Sequence, residues 1–126
     1  LERAGRFVEG AVFVDGFFTA SPDSIVREFV SLYRETHGEE PSILGAQAFD
    51  TAGLLLYLLG RPDVTSREDL RRALASVRNY PGVTGNLFVD HQGEIQRELF
   101  LIRVEQGAFV QIDRERNRAL PMPLDY

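Results

Sequence analysis

Cysteine and lysine are both missing from this 126-residue chain, and no apolar run approaches the length needed to cross a bilayer. Without cysteine there is no disulfide framework, no thiolate nucleophile and no thiolate metal site; either a reducing or an oxidising compartment remains compatible. All fourteen basic residues are Arg, which reads as composition bias and carries no function. The longest apolar run, Leu54 to Leu59, is far too short to span a membrane. The start shows no basic, apolar, small-residue leader; a leader upstream would be invisible here. A net charge of −5 argues against binding nucleic acid or anionic membranes by bulk electrostatics. What is present is ordinary for a globular body: 44% hydrophobic residues, one domain's worth at most. There are no internal repeats and no low-complexity tracts.

Gly10-Ala11-Val12-Phe13-Val14 is a short continuous apolar run, extended by Phe17-Phe18 after Asp15-Gly16. It predicts a strand buried on both faces, with a bend at Gly16. Ser21-Pro22-Asp23 predicts a helix start with Ser21 as N-cap; Ile25, Phe29, Leu32 and Tyr33 then share one face, and His37-Gly38 ends the helix. A second helix is expected from Ile43 to Leu59. Its second half is apolar all round and should be buried against a sheet and another helix. Gly45 and Gly53 would each cost it about 1 kcal/mol against Ala, so close backbone approach is expected there. Ser66-Arg67-Glu68-Asp69 resembles a capping box with Asp in place of Glu, and Tyr80-Pro81-Gly82 is read as the stop of that third helix. The remainder reads as β: Val83 to Val89, Glu94 to Val104, then a three-residue loop Glu105-Gln106-Gly107 leading into Ala108 to Ile112. The expectation is an α/β chain with three helices and about four strands over residues 1–112, and a C-terminal extension over residues 113–126.

Candidate chemistry is sparse. His37 and His91, the two histidines, lie far apart and at turns, so no metal or cofactor is expected. No Gly-x-Ser-x-Gly elbow occurs, Ser21 and Ser66 are better used as caps, and the acid pairs Glu39-Glu40 and Glu68-Asp69 sit at helix starts where acids are solvated. Gly82-Val83-Thr84-Gly85 follows a helix and precedes a strand, the reverse of a phosphate loop, and reads as a flexible hinge or the opening of a strand. Asp50 stands inside an apolar helix; such an acid must be paired, and bonding to nearby backbone or side chains is favoured over a ligand contact. Phe17, Phe18 and Phe49 could touch a ligand, though any single Phe is more often core. No catalytic constellation emerges.

The order of these segments resembles the closing third of a type I periplasmic solute-binding protein, the group that captures leucine, isoleucine, valine and related molecules. The resemblance covers nearly all of Gly5 to Ile112. It rests on Val12 to Phe18, the helix ending near Gly38, and Pro41 followed by Ala48-Phe49-Asp50-Thr51-Ala52, similar to the family's Ala-Tyr-Asp-Ala pattern. Gly82 to Gly85, Phe88-x-Asp90, Gly93 and the Gly107-Ala108-Phe109 hairpin complete it. In that family two α/β lobes are joined by three crossings and ligand sits in the cleft. The resemblance then implies ligand-facing positions at Phe18, Ala46, Gln47 and Phe49, and hinge positions at Asp15, Gly16, Gly82 and Gly85.

The implied function is a non-catalytic, extracytoplasmic receptor that passes amino acids or similar small polar molecules to an ABC permease. The segment Glu9 to Phe18 also looks like envelope lipoproteins known as penicillin-binding-protein activators, which contact cell-wall synthases and are lipid-anchored through an upstream segment; a sensor domain is a third alternative. On physical grounds the strand Ala11 to Val14, separated from the other strands by three helices, is expected to lack neighbours within the chain. Further polypeptide, or a second copy in a homodimer, would then have to supply them.

Overall fold

Short-range signals account for the three helices of the computed structural model, which describes residues 8–112. Helix α1 (Ser24–His37) buries Val26, Phe29 and Val30 and ends at Gly38 in the left-handed conformation. Its start corrects the expectation: Asp23, not Ser21, takes the extended N-cap position. Ser21 is buried instead, where its N–H donates to the Phe18 carbonyl and its Oγ accepts from the Asp23 N–H at 3.4 Å. The backbone N–H of Ser21 closes the preceding turn, and its side chain bonds to the residue that takes the N-cap position.

Helix α2 (Ile43–Leu59) spans the expected residues, with the Ser42 side chain accepting from the Gly45 N–H at 3.2 Å. Its buried residues are Ala46, Asp50, Leu54 and Leu58, a single stripe at four-residue spacing. All-round burial of its second half is therefore overturned: Leu56, Tyr57 and Leu59 are 71%, 62% and 55% exposed. Neighbours pack on one side of the helix, so the face carrying Leu44, Ala48, Ala52 and Leu59 stays open to solvent. Helix α3 (Arg67–Ala75) starts where the capping pattern placed it. The Ser66 side chain accepts from the Asp69 N–H at 3.2 Å, while the Asp69 carboxylate accepts from the Ser66 hydroxyl and from the N–H and hydroxyl of Thr65.

The described residues form six strands, not about four: β1 (Val12–Asp15), β2 (Tyr80–Gly82), β3 (Gly85–Val89), β4 (Ile95–Arg97), β5 (Phe100–Glu105) and β6 (Ala108–Gln111), in two sheets ordered β1-β5-β6 and β2-β3-β4. Two misreadings explain the difference. Tyr80-Pro81-Gly82 is a strand rather than a helix stop, because α3 has already ended at Ser76. The run Glu94 to Val104 is broken at Glu98-Leu99, where the Glu98 N–H turns to the Asn86 carbonyl at 3.2 Å.

The described residues divide into two compact units, residues 15–100 and residues 8–14 with 101–112. The larger holds the three helices and the antiparallel β2-β3-β4 sheet. Its core has two clusters: Phe17, Val26, Phe29, Val30, Ala46 and Val83, then Leu54, Leu58 and Ala73 with Val64, Leu70, Leu74, Val77 and Tyr80 around them.

In the smaller unit Ile102 and Val104 are buried on one side of β5, and β5 pairs antiparallel with β6. The connection is a two-residue turn, not a three-residue loop: Gln106 and Gly107 both have positive φ, 52° and 75°, the geometry that matches strand twist. The Glu9 carboxylate accepts from the N–H groups of Gln106 and Gly107 at 2.7 and 3.3 Å. Strand β1 lies beside β5, with the Gly10 N–H on the Val104 carbonyl and the Val104 N–H on the Ala11 carbonyl, both 2.9 Å. The expectation that this strand finds no neighbour within the chain is overturned. It is also not buried on both faces, since Val12 and Val14 are 53% and 55% exposed. The C-terminal extension expected over 113–126 lies outside the described residues.

Candidate functional site

The N-terminal half of α2 carries three of the four expected ligand-facing residues together with Asp50. Asp50 is 2% exposed, and a carboxylate so far from water needs donors. It finds three on the turn between β2 and β3. One oxygen, Oδ1, accepts from the Val83 N–H at 2.7 Å; Oδ2 accepts from the Thr84 N–H at 2.9 Å and the Thr84 hydroxyl at 2.6 Å. Hydrogen bonds to a charged group are each worth about 1.5–3 kcal/mol, so this contact ties the helix firmly to the hairpin.

Space for the tie comes from two glycines. A Cβ on Gly82 would lie 2.6 Å from Asp50 Oδ2, and one on Gly53 would lie 2.6 Å from the Tyr80 hydroxyl. The approach at Gly53 is therefore made by a side chain, Tyr80, rather than by backbone, and at Gly45 by the Tyr33 ring, 3.4 Å from where a Cβ would lie. Burial, and then the nearby Asp50 charge, push the Tyr80 hydroxyl above its usual range. The sequence signalled that Asp50 would be paired with structure; it carried no signal for Val83, Thr84 or Tyr80, which sit at least 30 residues along the chain.

Around this tie the expected ligand positions differ in access. Ala46 is fully buried in the cluster with Phe17 and Val83, and Phe18 is 7% exposed. Gln47 is half-buried. Phe49 is 44% exposed and lies against Phe29, ring centroids 4.7 Å apart. Gln47 and Phe49 thus offer accessible surface, while Ala46 and Phe18 are buried.

The expected hinge residues separate into two places. Asp15 and Gly16 stand where the chain passes from one compact unit to the other, and Asp15 accepts from the Phe17 N–H at 3.2 Å. Gly82 and Gly85 face each other across the two-residue β2–β3 turn, well inside the larger unit. Gly85 has φ of +95°, and a Cβ there would meet the Glu98 carbonyl at 2.8 Å. With Val83 and Thr84 fully buried and bonded to Asp50, this turn is clamped rather than loose. The second passage between units falls later, at Phe100–Leu101.

Both histidines are exposed; His37 stacks on Tyr33 at 4.4 Å, and His91 lies in the turn closed by Asp90. Among the described residues no cluster of His, Cys, Asp or Glu could hold a metal ion, and no helix is long and apolar enough to cross a membrane.

A sequence profile described as periplasmic binding protein matches residues 1–108. The chain belongs to that family. Solved structures agree with the assignment. A candidate branched-chain amino acid ABC transporter protein from Rhodospirillum rubrum is 37% identical over 88% of this chain, with a TM-score of 0.82. The leucine-binding protein LivK of Thermotoga maritima is 26% identical over 89% of it, TM-score 0.61. An ABC transporter substrate-binding protein from Desulfitobacterium hafniense, solved with Leu, is 26% identical over 83%, TM-score 0.66. No curated protein matches the sequence. The chain spans about a third of each of these relatives, 33%, 32% and 32%. It is thus a segment of the periplasmic binding protein fold, and its relatives are solute-binding proteins of ABC transporters.

Proposed function

We propose that this chain is part of a non-catalytic, extracytoplasmic solute receptor that delivers an amino acid or similar small polar molecule to an ABC permease. The observation that carries the reading is the 37% identity and TM-score of 0.82 to the Rhodospirillum rubrum transporter protein over 88% of the chain. The double passage of the chain between compact units, near residues 14–15 and 100–101, supports it, because receptors that close on a ligand need short segments between bodies that can turn. Gln47 and Phe49 are the residues of this chain offered to the solute; Ala46 and Phe18, which are buried, are the less accessible ligand-facing candidates. Asp15 and Gly16 serve as hinge, and the Gly82–Gly85 turn holds α2 in position.

A thermal-shift screen of the intact gene product against amino acids and small carboxylic acids tests this. A true ligand at a hundred times its Kd stabilises by about 2.7 kcal/mol. Failure of every such ligand, together with capture of a cell-wall synthase, would move the protein to the lipid-anchored activator alternative.

The open apolar face of α2, with Leu44, Leu56 and Leu59 at 72%, 71% and 55% exposure, supports self-association of the isolated 126-residue chain. Sedimentation equilibrium is expected to show a dimer that a Leu56→Glu substitution dissociates. A monomer at all concentrations rules this out.

A further inference from the structure

The C-terminal half of α2, the end of α3 and β2 border a half-open cavity of about 380 Å³, lined by residues between Leu54 and Pro81 and therefore wholly inside the larger unit. Its floor is apolar: Leu58 and Ala73 are buried, and Val77 packs on them. Tyr57 and Tyr80 form a wall, ring centroids 6.1 Å apart and inclined at 45°. The Tyr80 hydroxyl is accommodated beside Gly53, which leaves its ring as apolar surface.

The rim holds a cation of unusual kind. Arg78 Nη1 donates to the carbonyls of Ala75, Val77 and Val89 at 2.8, 3.0 and 3.1 Å. Three neutral acceptors fix the guanidinium without balancing its charge, and among the described residues it forms no ion pair. Arg61, the other guanidinium at this cavity, is engaged by both carboxylate oxygens of Asp63 at 3.0 and 2.7 Å. Arg78 therefore keeps Nε and Nη2 for an outside acceptor, already oriented.

We propose that this cavity is a second small-molecule site, taking an amphipathic acid whose apolar body lies against Tyr57, Tyr80 and Leu58 and whose carboxylate sits on Arg78. The volume falls in the range of small-molecule sites, which pair an apolar lining with a few fixed polar groups. Guanidinium forks match carboxylates, and aromatic walls suit a flat or branched body. The site stands on the larger unit alone and does not depend on which solute the receptor carries.

Phenylacetate is the probe, titrated into the 126-residue chain while backbone amide NMR shifts are followed. Saturable binding with Kd of about 1 mM is expected, with the largest changes between residues 54 and 81. Arg78→Gln and Tyr57→Ala should each weaken binding about fivefold or more. Asn79→Asp, at an exposed rim position, does the same by repulsion and serves if the Arg78 variant fails to fold. The uncharged analogue 2-phenylethanol should bind about fivefold more weakly. Shifts centred outside residues 54–81, equal affinity for the two compounds, or no saturation overturn the proposal.

Discussion

Asp50 shows most clearly how one side chain organises this segment. Its carboxylate serves two backbone N–H groups and one hydroxyl that have lost their water. Asp50→Ala leaves all three without that acceptor in a buried place and should lower the unfolding free energy by about 3 kcal/mol or more. Asp50→Asn keeps the volume but turns an NH₂ toward N–H donors, so it should cost about 2 kcal/mol. Urea unfolding of the two variants checks this, and an Ala variant within about 0.5 kcal/mol of the parent would contradict it. The need for a partner was legible from an acid in an apolar helix. The partner's identity was not, because nothing local to Val83-Thr84 points back 33 residues to Asp50.

Elements whose ends are set by neighbours in sequence were read well, and those set by distant pairing were not. Helix α2 runs from Ile43 to Leu59 as expected because Ser42 and Gly60 bracket it locally. Helix α3 starts at its Ser66 cap for the same reason. Ser21 carried the same local signal, yet packing buried it and moved the cap to Asp23. Strand β2 was hidden because Tyr-Pro-Gly reads as a breaker; its pairing with β3 becomes visible only once Asp50 clamps the turn between them. The β1–β5 pairing joins residues about 90 positions apart, beyond any local pattern.

The α3 cap yields a pH-dependent prediction. Bonds from Ser66, then Arg72 and Thr65, hold the Asp69 carboxyl well below its usual 3.8. A depressed folded-state value stabilises above the unfolded one, so this contribution is complete above about pH 5. It is lost as pH falls below 3.8 toward the folded value. Ser66→Ala should cost about 1 kcal/mol at pH 7. It should also leave less to lose on acidification, because Asp69 then keeps a value nearer the ordinary one. Urea titrations at pH 7 and pH 3 read both effects; equal acid sensitivity in parent and variant would contradict the assignment.

For the molecule as a whole, fold class and family were legible because the order of segments survives in sequence: helix, Pro41, the Ala-Phe-Asp-Thr-Ala helix, then glycine-punctuated strands. The division into units was not, since it depends on which strands share a sheet. The last passage between units lies at Phe100–Leu101 rather than near Gly82, because Gly82 to Gly85 is a buried turn. The chain spans about a third of its relatives' length, and the role proposed for it is that of one part of a solute receptor. Equilibrium dialysis of the intact gene product against radiolabelled leucine, isoleucine, valine, other amino acids and small carboxylic acids measures that role directly. The account predicts saturable binding of one of them at one molecule per chain, weakened by Phe49→Ala. A folded protein that retains none of them would contradict it.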